Sequence, residues 1–146
     1  MSHPVAVPVV VTGADTPLGA AVVAALRGAG VEVRATVRAR SAAAGLPPPV
    51  AVMDLSDPLR FGAVLEGAHT LVHLDPAPLD HVIEAAEDTS LRRLVLVRPG
   101  GVAGAAEEPV KLVELVGLVE LVVVTGSPSS ADPAVVTAVV AADRRR

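Results

Sequence analysis

The chain predicts an α/β fold: a doubly wound parallel sheet of about six strands with helices on both faces. Three observations predict it. Over half of the 146 residues are apolar, and valine-rich runs alternate with alanine- and leucine-rich ones, the pattern of buried parallel strands and their covering helices. No apolar run approaches the length of a membrane span. The N-terminal order is apolar run, glycine, short polar turn, helix-like repeat, glycine stop and second valine-rich run, which is a βαβ opening. A single domain over residues 1–146 is long enough to hold a substantial core.

The first strand is expected at 5–12, buried on both faces, and the first helix at 17–29. Between them runs Thr12-Gly13-Ala14-Asp15-Thr16-Pro17-Leu18-Gly19. Gly13 lets the backbone turn sharply as it leaves the strand. The free amides and positive dipole end of the helix then face the turn, a site suited to phosphate. Gly19 in the first helical turn allows close packing or close approach of a ligand. Thr16 either donates its hydroxyl to a phosphate oxygen or caps the helix, with Pro17 at the first helical position. Gly28-Ala29-Gly30 stops the helix.

This stretch resembles the extended and atypical short-chain dehydrogenase/reductases, the group related to NAD-dependent epimerases and dehydratases. Their motif is Gly-x-x-Gly-x-x-Gly. Gly13 and Gly19 match the outer glycines, and Thr16 stands at the middle one, where its Cβ narrows the approach to a pyrophosphate. The resemblance implies a Rossmann domain that binds NAD or NADP, with Gly13, Asp15, Thr16, Pro17, Leu18 and Gly19 around the diphosphate.

The second strand is expected at 31–37, with Glu32, Arg34 and Thr36 on a more polar face. NAD sites place an acid at its end and NADP sites a basic residue. Here Arg38 follows, with Arg40 and Ser41 close by, and no acid precedes Asp54. NADP is therefore the expected cofactor, with Arg38 on the 2′-phosphate and NAD as the alternative. Residues 41–49 are too proline-laden for a long helix, though 41–45 can form one turn. A third strand at 50–53 ends in Asp54-Leu55, a pair that the resemblance places at the adenine ring. Asp57 caps a helix begun by Pro58 and running to 66, with Leu59, Val64 and Leu65 near one side and Gly67 as its stop.

The fourth strand, 68–74, is similar to the family's Asp-x-Val-x-His-Leu-Ala. His73 reads as a packed strand residue, since four scattered histidines make no metal site. The resemblance puts Leu74 on the dinucleotide, and the following Asp75 is a departure, a carboxylate where phosphate should lie. A helix at 79–88 buries Leu79, Val82, Ile83 and Ala86. The fifth strand is expected at 91–97, a short helix at 110–116 and the sixth strand at 121–125. Asp132-Pro133 then starts a last helix with Val135, Val136, Val139 and Val140 as its apolar stripe.

At the catalytic positions the resemblance fails. The family uses a serine after the fifth strand, then a tyrosine as general acid/base and a lysine four residues on. The chain has no tyrosine, and Arg98-Pro99 stand where the serines belong. Aligning on Lys111, the single lysine, puts Glu107 at the tyrosine. A carboxylic acid is a far stronger acid than a phenol, so reducing a carbonyl there would require it to hold its proton unusually tightly. Glu107-Glu108-Pro109 also reads plainly as a helix start. The segment from Asp132 follows strand six at once, whereas the family separates the two, so most of the substrate-binding part is expected to be missing.

Two functions follow as expectations: a cofactor-sensing or regulatory NADP-binding domain, or an oxidoreductase or epimerase working through another acid or a partner chain. Asp54 and Arg98-Pro99 also fit a phosphorelay receiver, but a receiver's first strand ends in acids for magnesium and this one ends in Thr12-Gly13. With no cysteine, disulfides and thiolate metal sites are excluded, and a cytoplasmic location without a signal peptide is expected. One aromatic residue and a net charge of -4 argue against nucleic acid as a partner. The valine content leaves apolar surface that a homodimer or partner protein would cover, with 79–88 and 110–116 as the expected contact.

Overall fold

The computed structural model describes residues 8–38, 50–52, 57–74, 79–86, 89, 91–98, 120–126 and 131–144. Their order is β1 (Val9–Thr12), α1 (Pro17–Gly28), β2 (Val33–Val37), β3 (Val50–Val52), α2 (Pro58–Leu65), β4 (Thr70–His73), α3 (Leu79–Ala86), β5 (Arg93–Arg98), β6 (Glu120–Thr125) and α4 (Pro133–Arg144). The six strands form one parallel sheet in the order β3-β2-β1-β4-β5-β6. The chain starts at the centre, builds outward to β3 and returns to build the other half from β4. The reversal opens a crevice at the carboxyl ends of β1 and β4, the topological switch point where such sheets bind ligands.

Side-chain alternation divides the core into two layers. Val9 and Val11 of β1, Val72 of β4 and Val95 of β5 pack with Leu18, Val22 and Leu26 of α1 and with Val135 and Val139 of α4. Val10, Leu71, Leu94 and Leu96 face the opposite way, onto Phe61 and Leu65 of α2 and Val82, Ala85 and Ala86 of α3. With both faces covered, a central strand has no solvent face to spend on polar residues, which is why β1 is apolar up to Thr12.

Several element ends differ from the sequence expectation, each for a local reason. The second strand begins at Val33 because the Val31 amide is drawn back to the Leu26 carbonyl (3.0 Å), closing the end of α1. The helix expected to reach residue 66 ends at Leu65, where Glu66 turns extended and Gly67 takes φ +78°. The fourth strand begins at Thr70 because Ala68 still donates to the Leu65 carbonyl (2.9 Å). Both predicted aspartate caps form: Asp57 accepts from Leu59 N at 3.1 Å and Asp132 from Ala134 N at 2.9 Å. Residues 41–45, the helix expected at 110–116 and most of the surface assigned to a dimer contact lie outside the described residues.

Two side chains depart from the expected pattern. Leu59 was placed on the apolar side of α2 but is 85% exposed, and Phe61 is fully buried in its stead. The helix is rotated so that its single aromatic side chain fills the layer, because Phe carries the largest apolar area available there. Arg34 was placed on a polar strand face. Its guanidinium instead reaches across to α2 and donates to the carbonyls of Val64 (2.7 Å) and Glu66 (2.6 Å), satisfying helix-end acceptors that no further helical turn can serve.

Arg34→Met should therefore lower unfolding stability by about 1–2 kcal/mol, since charge-assisted hydrogen bonds to carbonyls are lost while water reaches part of the site. Arg60→Gln, which removes only the exposed 3.6 Å pair with Asp57, should cost less than about 0.5 kcal/mol. Urea denaturation of both variants checks the contrast.

Candidate functional site

The site is built from the turn between β1 and α1. Gly13 leaves β1 with φ +64°, a conformation that costs other residues about 1–2 kcal/mol. The chain then folds back so tightly that an ideal Cβ on Gly19 would fall on the Gly13 carbonyl oxygen and within 2.9 Å of Ala14 Cα. Both outer glycines of the motif are thus required by backbone against backbone, and close packing is the reason for the second.

Thr16 closes the turn. Its hydroxyl donates to the Gly13 carbonyl (2.7 Å) and accepts from the Gly19 amide (3.0 Å), while its own amide also donates to Gly13 O (3.0 Å). Of the two expectations for Thr16 the structure realises the helix cap, with Pro17 at the first helical position. In this arrangement the one hydroxyl proton goes to Gly13 O.

The Ala14 amide donates to the Thr36 carbonyl at 3.1 Å, which ties the turn to the end of β2. The residue two beyond Thr36 is Arg38, exposed at the same carboxyl edge of the sheet. Among the described residues, the amides of Asp15 and Leu18 make no hydrogen bond, and α1 carries no acidic residue in its first turn. Leu18 is fully buried, backbone included, and offers a ligand neither its side chain nor its amide. Asp15 and Pro17 are exposed on the outer side of the turn.

Across the switch point a buried polar crosslink joins β1 to β4. Thr12 Oγ1 accepts from the Leu74 amide (3.0 Å) and lies 2.9 Å from His73 Nδ1. The His73 ring stacks on Phe61 with centroids 6.2 Å apart. Leu74, expected at the dinucleotide, thus has a committed amide and a buried side chain, and can offer only the crevice wall. Sequence reasoning passed over Thr12 and Arg34. The available signal for Thr12 was a hydroxyl residue ending an otherwise apolar strand.

The turn, Arg38 and Leu74 are brought to one edge. Asp54, Leu55, Asp75, Glu107 and Lys111 lie outside the described residues. No group of side chains able to hold a metal ion occurs among the described residues. No helix among them is long and apolar enough to cross a membrane.

Strand order and turn together define a doubly wound Rossmann-type domain with a glycine turn at its switch point. No family profile matches the chain, and no curated protein matches it in sequence. Solved structures do match. The chain is similar to a short-chain dehydrogenase/reductase superfamily protein from Agrobacterium tumefaciens with NAD bound, at 29% identity and a TM-score of 0.51, over 64% of this chain and 33% of that one. It shares the fold of MoeE5 in complex with UDP-glucose and NAD, at 24% identity and TM-score 0.55, over 66% of this chain and 38% of that one. It also shares the fold of Gre2 from Candida albicans in complex with NADPH, at 19% identity and TM-score 0.54, over 64% and 37% of the two chains. The chain matches a third to two fifths of the length of these structures.

Gly19→Ala should lose at least about 2 kcal/mol of stability, because a Cβ forced against backbone must move the helix. Gly28→Ala in the same helix, where an added Cβ meets nothing within 4 Å, should be neutral or slightly stabilising. Thermal melts of the pair separate crowding from any general effect of losing a glycine. Thr16→Val should cost about 1 kcal/mol through loss of the cap, and Thr16→Ser should restore most of it.

Proposed function

We propose that the chain is an NADP-binding domain of the short-chain dehydrogenase/reductase superfamily that lacks the usual tyrosine–lysine chemistry and serves in cofactor sensing or regulation. The observation that carries this reading is the glycine turn at the switch point, whose Asp15 is exposed, with an amide that makes no hydrogen bond, at the positive end of α1. That amide and the helix dipole would hold the diphosphate. The NAD or NADPH bound by the similar solved structures supports a nicotinamide dinucleotide as the ligand. Arg38, carried to the same edge by β2, would meet the 2′-phosphate, and Asp54 with Leu55 would serve the adenine. The nicotinamide supplies hydride chemistry where a substrate and a proton donor stand beside it. A chain without tyrosine has no phenol to give that proton.

NADPH should raise the melting temperature, as any ligand of the folded state alone must, and do so more than NADH. No shift from either at millimolar concentration would end the proposal. Arg38→Ala should weaken NADPH binding about tenfold by calorimetry, the loss of one charge-assisted contact to phosphate, and leave NADH unchanged.

Incubation with NADPH and a carbonyl panel should show no turnover. Should cofactor oxidation occur, the reductase or epimerase reading takes over, and its decrease in Glu107→Gln and Lys111→Met would place those residues in the mechanism.

A further inference from the structure

We draw no further inference here: the strongest candidate, the open apolar groove of about 270 Å³ between α1 and α4 lined by Ala25, Val136, Thr137, Val140 and Ala141, carries nothing because nothing in the structure shows what covers it.

Discussion

The contact on which the architecture turns is the approach of Gly19 to the Gly13 carbonyl. It decides where α1 begins, because the helix can start only where its backbone can lie against the strand it has just left. Gly13 supplies the positive φ that reverses the chain, Gly19 supplies the missing Cβ, and the Thr16 hydroxyl bridges the two. None of the three works alone. Without the bridge, the Gly19 amide would lose its partner and the Gly13 carbonyl would keep only the Thr16 amide, at a cost comparable to a lost hydrogen bond. With it, α1 is set over β1, and Leu18, Val22 and Leu26 fall onto Val9 and Val11 without adjustment.

The same bridge sets what the turn can offer a ligand. Of the groups around it, Gly19 N is held by Thr16, Ala14 N by Thr36 O, and Thr16 N by Gly13 O. Pro17 has no N–H at all. The amide of the exposed Asp15 remains, together with the dipole of a twelve-residue helix. An anion held by one amide and half a unit of charge is held modestly. A dinucleotide bound here must draw much of its affinity from elsewhere along the same edge, and that gives a guanidinium at the end of β2 its importance to the proposed reading.

How much of this was legible in the sequence depends on whether the cause was local. The sheet and helices follow from alternation of valine-rich and alanine-rich runs, a property of neighbouring residues. The caps at Asp57, Asp132 and Thr16 follow from a polar residue placed just before proline, again local. Arg34 was misread because its partners, Val64 and Glu66, lie some thirty residues away and are backbone carbonyls, which carry no residue-type signal. Leu59 was misread because two side chains competed for one layer, and the outcome depends on the volume left by α3 across from it. At the site, the sharp turn at Gly13 was legible, while the cap at Thr16 and the close packing at Gly19 were each one of two readings. Leu74 was named for a ligand contact, whereas its amide is spent on Thr12.

The bond from Leu74 to Thr12 ties the two sides of the crevice together. A parallel sheet that reverses direction at its centre holds its two halves together by one ladder, here β1 against β4, and the ladder stops where the crevice begins. Beyond it the strand tips would be free to splay. A hydroxyl on the last residue of β1 that accepts the first amide after β4 extends the connection by one more bond. The His73 imidazole beside it is packed on Phe61. Buried polar groups are costly unless they satisfy one another. Thr12, His73 and the Leu74 amide supply partners to one another at this buried end of the two strands. The glycine turn above them then faces a wall that this bond joins to β1.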